Sequence, residues 1–430
     1  MKNKINIAIV GFGNIGSYFY KTLLNRRNNI SIKTGRMPIV KYVCAKNINK
    51  KRLVKIPRSK WIKNPLKIPF IKDLDVIVEL IGGADGIAKK LVYSALKNKK
   101  HVITANKALM AKYGDQLAAI AEKNKVNLEY EASVAGGIPI IRAIKEGLTT
   151  NKINKIYGIL NGTTNYILSK MESSGNDFYQ VLDNAKKLGF AESNPLSDLN
   201  GNDSADKLRI LSSIAFSTNI SKNKILTEGI QNINLTDILY AKKFGYKIKL
   251  LSISENKKRK LIERVHPCLV SNSSFLANTD GVLNTIVIDA VPVGKTVLQG
   301  EGAGPGPTSS ALISDLCSVL RGNIKYPFGI SSRLRKKTNK FDILNHTSSS
   351  YFRIEVKDLP GVLSSITKMF AKNKISIKNL LQNPDKKNKK ATIIIITHKS
   401  LEKNYNNLFS NLIRNKFVLK KPTFIRIEKV

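Results

Sequence analysis

The most constraining feature of this chain is Gly11-Phe12-Gly13-Asn14-Ile15-Gly16, which follows the apolar run Ile5 to Val10 and opens an amphipathic stretch at Ile15. Strand, glycine turn and helix in that succession form the first βα unit of a parallel sheet, the setting that makes GxGxxG informative. Gly11 permits the tight turn, Gly13 lets backbone approach a pyrophosphate, and Gly16 lets helix and strand pack closely. Amides at the helix start then face the phosphate charge. Gly11, Phe12, Gly13, Asn14, Ile15 and Gly16 are therefore expected to bind a dinucleotide; the alternative is a glycine-rich turn without a ligand. Enzymes that use NAD place an Asp or Glu about 20 residues past this loop, for the ribose 2′-hydroxyl. Here no acidic residue precedes Asp73, and the second apolar run ends in Ala45-Lys46-Asn47, with Lys50, Lys51 and Arg52 after it. A cation suits a 2′-phosphate, so NADP is expected ahead of NAD, with Lys46 among its contacts.

Short apolar runs alternating with longer amphipathic stretches extend this pattern through the first half of the chain. Ile5 to Val10, Ile39 to Ala45, Asp75 to Leu80, His101 to Thr104 and Val126 to Glu129 read as buried strands, and Ile15 to Arg26, Ala84 to Asn98 and Gly114 to Asn124 as helices. The expectation is a Rossmann-type dinucleotide-binding domain over 1–139. A mixed α+β domain for substrate binding, catalysis and dimerisation should follow over 140–330, its last helix, about 307–321, returning to the cofactor domain. The stretch 331–350 is polar, basic and without periodicity, as a linker would be. From 351 to 430 the order is strand, helix, strand, strand, helix, strand, a ferredoxin-like unit. Its elements are Tyr351 to Val356, Val362 to Lys372, Ile375 to Leu380, Thr392 to Thr397, Leu401 to Asn415 and Thr423 to Ile427.

A net charge of +43, from 73 Lys and Arg against 30 Asp and Glu, would ordinarily point to nucleic acid. Lysine, asparagine and isoleucine are enriched together throughout, however, and their A/T-rich codons make genome bias the simpler cause. No RNP, helix-turn-helix or zinc-finger pattern accompanies the charge, so no nucleic-acid partner is expected. The 3 cysteines (Cys44, Cys268, Cys317) form no CxxC pair, which indicates neither a disulfide framework nor a zinc site. The apolar part of Met1 to Val10 is too short for a signal segment, and no run approaches the roughly 18 apolar residues of a membrane span. A cytoplasmic protein without a membrane partner is expected.

Removing hydride from an alcohol requires a partner for the hydroxyl proton and a group to steady the alkoxide. A zinc enzyme would need Cys and His ligands at fixed spacing, but the histidines are isolated apart from His266-Pro267-Cys268. A Tyr-xxx-Lys pair occurs three times, at Tyr42/Lys46, Tyr93/Lys97 and Tyr166/Lys170, as chance allows in so lysine-rich a chain. The remaining solution is a lysine acting with carboxylates. Glu192, Asp198, Asp203 and Asp206 cluster near a helix beginning around Asn202, where Asp203 and Lys207 share a face. Spacing alone favours an ordinary surface ion pair with an acidic N-terminal turn.

At these residues the chain resembles the homoserine dehydrogenase family. The resemblance runs through Ala105-Asn106-Lys107-Ala108-Leu109, Glu131-Ala132-Ser133-Val134-Ala135-Gly136-Gly137-Ile138-Pro139, Leu160-Asn161-Gly162-Thr163-Thr164-Asn165-Tyr166 and Gly189-Phe190-Ala191-Glu192. It continues through Asp198-Leu199-Asn200-Gly201-Asn202-Asp203 to Lys207, then Gly300-Glu301-Gly302-Ala303-Gly304 with Pro307-Thr308. The last 80 or so residues are similar to ACT regulatory domains through Asp358-Leu359-Pro360-Gly361-Val362-Leu363. Two departures stand out: the family's Gly-Gly-x-Glu-Pro is Gly82-Gly83-Ala84-Asp85-Gly86, and its Gly-Lys-His is Lys99-Lys100-His101.

The resemblance implies reversible NAD(P)H-dependent reduction of L-aspartate 4-semialdehyde to L-homoserine in threonine and methionine biosynthesis. It implies Lys207 as proton donor and acceptor, Lys107 as contact to nicotinamide and substrate, and Glu192 and Asp203 as substrate carboxylates supported by Asp198. Gly189 and Gly302 would lie near the cofactor. Glu131, Val134, Gly136 and Ile138 would hold a monovalent cation, sodium, largely through carbonyls. The ACT-like part implies an L-threonine effector, and the assembly a homodimer or homotetramer. Two neighbouring ammonium groups are expected to depress each other's pKa. Another NADP-dependent amino-acid semialdehyde reductase, or a non-enzymatic ACT-type amino-acid sensor, are the alternatives.

Overall fold

The computed structural model describes residues 3–257 and 260–430; Met1 and Lys2, the start of the basic opening stretch, lie outside them. Strand β1 (Lys4–Val10) leads through the glycine turn into helix α1 (Asn14–Thr34) and strand β2 (Met37–Cys44). Strand β3 (Val76–Glu79), helix α2 (Ile87–Lys97), strand β4 (His101–Thr104), helix α3 (Lys107–Lys123) and strand β5 (Leu128–Glu129) follow. The strands pair in parallel in the order β2-β1-β3-β4-β5. Being covered on both faces, β3 is buried at every position and β1 at all but the first, which is why they are continuous apolar runs. The chain reverses direction across the sheet at β1, so a crevice opens beyond the carboxyl ends of β1 and β3. Helix α1 runs past its expected end at Arg26. Ile30 continues the buried stripe of Phe19, Tyr20 and Leu23, and Gly35 closes the helix in left-handed geometry at φ +73°.

The middle of the chain builds an antiparallel sheet with helices against it. Its elements are the short turn α4 (Ile140–Arg142), strand β6 (Lys152–Ile159), helices α5 (Gly162–Ser174), α6 (Phe178–Lys187), α7 (Leu196–Leu199) and α8 (Asn202–Ala215), and strand β7 (Leu226–Thr227). Helix α9 (Leu235–Lys243), strands β8 (Tyr246–Lys257), β9 (Lys260–Ser271), β10 (Leu283–Val291) and β11 (Gly294–Glu301), and helix α10 (Pro305–Leu320) complete it. The main strand order is β11-β10-β6-β8-β9. Helix α10 returns to the first sheet, where Leu312, Leu316, Val319 and Leu320 join Phe19, Tyr20 and Leu23 of α1 in one core.

The segment expected as a structureless linker is laid against the body. Strand β12 (Asn339–Lys340) pairs with β9, and Arg335 is buried, with its guanidinium 2.7 Å from Asp115 and 3.8 Å from the centre of the Phe328 ring. A basic, aperiodic run gives no sign of this, because the anchor is a guanidinium satisfied by partners distant in sequence. Beyond it come strand β13 (Thr347–Lys357), helix α11 (Val362–Lys372), strands β14 (Ile377–Asp385), β15 (Lys390–Thr397) and β16 (Ser400–Leu401), helix α12 (Glu402–Ile413) and strand β17 (Thr423–Glu428). The order β17-β13-β15-β14 is that of a ferredoxin-like sheet. Strand β17 also pairs in parallel with β9, Arg426 opposite Cys268 and Glu428 opposite Val270. The two sheets therefore merge into one of 12 strands. Among the described residues no helix is long and apolar enough to cross a membrane.

Candidate active site

Each glycine of the first loop answers a different steric demand. Gly11 sits at φ +103°, where a Cβ would lie 2.4 Å from the Leu80 carbonyl, and a Cβ on Gly16 would lie 2.7 Å from the Gly11 oxygen. Gly13 faces open space, with nothing within 4 Å of its Cβ position, as a backbone that receives a ligand should. The amides of Gly11 and Phe12 both donate to the Cys44 carbonyl at 3.0 Å. The donors left for an anion are thus the first-turn amides of α1, from Asn14 to Gly16, which have no acceptor within the helix.

Lys46 is exposed on the loop after β2, while Arg52 is the residue built into the glycine turn. Its Nε donates to the Phe12 carbonyl at 2.8 Å, and its guanidinium carbon lies 4.9 Å from the Trp61 ring centre. In the sequence Arg52 is one cation in a run with Lys50 and Lys51. The usable signal was the guanidinium itself, which stacks and forks where an ammonium does neither.

Across the crevice, Thr104 Oγ1 donates to the buried Glu79 at 2.6 Å, and Glu79 accepts from the Ile81 amide at 2.7 Å. Asn106 caps α3 through the Leu109 amide and reaches the Gly83 carbonyl at 2.7 Å. The departure at Gly82 to Gly86 is accommodated by Asp85, which accepts from Lys112 at 2.8 Å and from Tyr113 at 2.6 Å. These contacts fix the start of α3, where Lys107 is the first residue.

Lys107 meets the helix that carries Asp203. The Lys107 ammonium is 2.9 Å from Asp203 Oδ1, and the Lys207 ammonium 2.7 Å from Oδ2. Asn161 Nδ2 donates to Asp203 at 2.9 Å and to Asp198 at 2.8 Å, and Lys207 donates to the Leu160 carbonyl at 2.8 Å. Asp203 and Lys207 are only 7% and 12% exposed, so this pair is not the solvated surface bridge that its spacing also allowed. Burial works to raise the Asp203 pKa, but the two ammonium groups and Asn161 outweigh it and hold the carboxyl well below its usual range. Burial likewise works to lower Lys107, and Asp203 outweighs it, so its pKa is raised. The expected mutual depression of the two lysines is corrected for Lys107 by the carboxylate standing between them. Burial and the neighbouring Asp203 raise Asp198.

The remaining candidates lie on loops outside the hydrogen bonds and ion pairs of this cluster among the described residues. Gly189 ends α6 in left-handed geometry at φ +77°, and Glu192 stands exposed on the loop that follows. Thr163 Oγ1 donates to the Phe190 carbonyl at 2.7 Å, which ties that loop to α5. A Cβ on Gly302 would meet the Asn284 side chain at 2.2 Å, and one on Gly136 would meet the Gly302 carbonyl at 2.9 Å. The loop 131–138 is thus folded tightly on the late glycine loop, and the Gly137 amide donates to the Glu301 carbonyl at 2.9 Å. The Glu131 carboxylate accepts from the amides of Ile141 at 2.8 Å and Arg142 at 2.9 Å, and burial pushes its pKa up to about 7. Among the described residues no hydrogen bond is donated to the carbonyls of Val134 or Gly136, whereas the Glu131 carbonyl accepts from Val134 and that of Ile138 from Ile140.

A glycine loop and a lysine–carboxylate cluster at one end of a parallel sheet define an oxidoreductase that uses a nicotinamide dinucleotide on a CH–OH group. Known proteins resolve the class further. The profile of the homoserine dehydrogenase NAD-binding domain matches residues 11–131, that of homoserine dehydrogenase residues 139–317, and that of the ACT domain residues 350–408. The homoserine dehydrogenase of Neisseria gonorrhoeae is 38% identical, covering 99% of both chains. That of Helicobacter pylori is 36% identical over 100% of both. The crystal structure of the Thiobacillus denitrificans homoserine dehydrogenase superposes with a TM-score of 0.90 at 36% identity, covering 99% of this chain and 98% of that one. The Staphylococcus aureus enzyme at pH 7.5 gives 0.76 at 32%, covering 99% and 100%. The chain belongs to the homoserine dehydrogenase family and is an NAD(P)-dependent oxidoreductase acting on the CH–OH group of homoserine.

Proposed function

We propose that Lys207 exchanges the hydroxyl proton of homoserine while Lys107 contacts both nicotinamide and substrate. The observation that carries this is Asp203, whose two oxygens each hold one of the lysines. Glu192 and Asp203, with Asp198 behind them, are assigned to the substrate's ammonium group, which charge-assisted hydrogen bonds recognise. Bound NADP(H) supplies the hydride acceptor or donor. The residues that would hold it are the first-turn amides of α1, Arg52 and Lys46 at the 2′-phosphate, and the Gly189 and Gly302 backbones. Turnover near the parental value in Lys207→Ala would remove that lysine from the reaction.

Arg52 should decide between the two dinucleotides. Its alanine variant is expected to raise the KM for NADP+ by about tenfold, the worth of one charge-assisted contact, and to leave the KM for NAD+ within about twofold. Equal weakening of both would make Arg52 a prop of the glycine turn only.

The loop of Glu131, Val134, Gly136 and Ile138 is assigned to sodium, and the ACT domain to feedback by L-threonine. Thermal-shift and activity measurements test both ligands: sodium should raise Tm over tetramethylammonium, and L-threonine should inhibit at millimolar concentration. A flat response to either ligand rejects that ligand. Edge strands β11 and β14 leave pairing surfaces at both ends of the 12-stranded sheet, and a homodimer or homotetramer is proposed, readable by sedimentation in the same buffers.

A further inference from the structure

We infer that Glu228, clamped by Arg426 of the ACT sheet, is a positioning residue for the turn that joins Asp198 to Asp203. The inference rests on the assignment of those two carboxylates to the substrate.

The chain of contacts starts in β17. Arg426 is 2% exposed, and its Nη1 and Nη2 donate to the two oxygens of Glu228 at 2.8 and 3.0 Å. Its Nε donates to Glu402 at 3.1 Å, at the first turn of α12, and its guanidinium carbon lies 4.6 Å from the Phe424 ring centre. A planar fork held from two sides transmits position well, because few rotamers satisfy both partners. Arg426 therefore ties the ACT strand and helix together and presents both to Glu228.

Glu228 lies just past β7 in the catalytic part, where its own amide donates to the Val265 carbonyl at 2.8 Å. The next residue, Gly229, is wedged against the active-site turn: a Cβ there would lie 2.2 Å from the Leu199 oxygen and 2.7 Å from the Asn200 Cα. The Ile230 amide donates to the Leu199 carbonyl at 3.0 Å. Gly201, at φ +84°, has its Cβ position 3.1 Å from Thr227 Cγ2 and 3.2 Å from Val265 Cγ1. Leu199, Asn200 and Gly201 are the residues between Asp198 and Asn202, so Thr227 to Ile230 form the wall on which the carboxylate turn rests. The path from Arg426 to Asp203 runs through the half-exposed Glu228 carboxylate, held by both Nη atoms of Arg426, then through the Ile230–Leu199 hydrogen bond and the backbone packing that leaves no room for a Cβ on Gly229, to the covalent neighbours of Asp203.

A displacement of β17 relative to β9 would reach the substrate carboxylates through this wall, whatever ligand displaces it. The catalytic lysine on α3 and the glycine loop belong to the other sheet, so the effect should fall on homoserine and spare the dinucleotide.

The test is Glu228→Gln, which keeps shape and loses charge, beside Arg426→Lys, which keeps charge and loses the fork. Each should raise the KM for homoserine by about tenfold, short of the hundredfold that an ångström of misplacement brings, with the KM for NADP+ within twofold. The double variant should be no worse than the poorer single one, as members of one unit behave. A lowered Tm with an unchanged homoserine KM in Glu228→Gln overturns the inference, and this variant is readable even if Arg426→Lys does not fold. Asp203→Asn separates the two readings. An Asp203→Asn variant strongly impaired toward homoserine beside a kinetically parental Glu228→Gln sinks only the positioning role, whereas an Asp203→Asn variant with parental homoserine kinetics overturns the site assignment and the inference with it.

Discussion

Lys207→Ala is expected to lower kcat/KM for homoserine by 10²- to 10⁴-fold, the range a positioned proton-transfer group contributes, or roughly 3–5 kcal/mol of transition-state stabilisation. The ammonium it removes is fixed by the Asp203 carboxylate at 2.7 Å and the Leu160 carbonyl at 2.8 Å, and Lys107, held on the other oxygen of Asp203, would have to leave that contact to replace it. Lys107→Ala should lose a comparable factor, with part of the loss in KM for both substrates, because that residue is proposed to contact both. The two losses should not add in the double variant, since groups acting on one transition state fail together. Asp203→Asn carries a distinct signature. Without the carboxylate, burial is the main influence on Lys107, and its pKa falls from a raised value toward a depressed one. The alkaline limb of the Asp203→Asn pH–rate profile, where Lys107 loses the charge with which it is proposed to contact the substrate, should therefore move to lower pH, a change that mere loosening of the site does not produce. Profiles that superpose after scaling would remove Asp203 from control of the lysine.

How much of this was legible in the sequence depended on how local each cause is. The glycine turn was readable because strand, turn and helix are adjacent, and the steric reasons for Gly11 and Gly16 act within a few ångströms of their own backbone. The ferredoxin-like order of the C-terminal part was readable because each strand and helix keeps its own periodicity. Lys107 and Lys207 were not readable individually: among 73 basic residues only the order of motifs picked them out. That Asp203 stands between them was invisible, because the contact joins α3 to α8 across nearly a hundred residues, and the expected mutual pKa depression was therefore wrong for Lys107. Arg52 and Arg335 were missed for a related reason. Arg335 is a buried guanidinium satisfied by partners distant in sequence, and Arg52 is half-buried and reaches back to the Phe12 carbonyl; neither differs in local sequence from a solvated one. The parallel pairing of β9 with β17 left no trace at all, since a register between strands more than 150 residues apart is set by packing and not by pattern.

The charged clamp on the other side of that junction gives the largest expected effect on stability. Asp237 is fully buried on α9, where it caps the helix through the Asn234 amide at 3.0 Å. It also accepts from Arg353 Nε at 2.8 Å, Arg353 Nη2 at 3.2 Å and the Tyr351 hydroxyl at 3.0 Å, all from β13. Arg353→Met keeps the apolar stem and strands a buried carboxylate, a loss that costs about 3–5 kcal/mol in comparable sites. Tyr351 and Asn234 still satisfy part of Asp237, which places the expectation toward the lower end. Adding Asp237→Asn should recover part of the loss, because the stranded charge is then gone and the amide can still accept from Tyr351. The recovery distinguishes a charge penalty from simple cavity formation, which the second substitution would not relieve. Because the pair is buried, the difference between Arg353→Met and the parent should change little between 0.05 and 0.5 M salt, whereas an exposed pair would be screened over that range. The measurement is calorimetric unfolding together with limited proteolysis across residues 331–350. Loosening of the C-terminal sheet should appear there first, since β12 and Arg335 hold that strap against the body. An Arg353→Met protein that melts with the parent would show that the remaining contacts, the merged β9–β17 ladder and the Arg426–Glu228 clamp among them, hold the ACT domain in place without this pair.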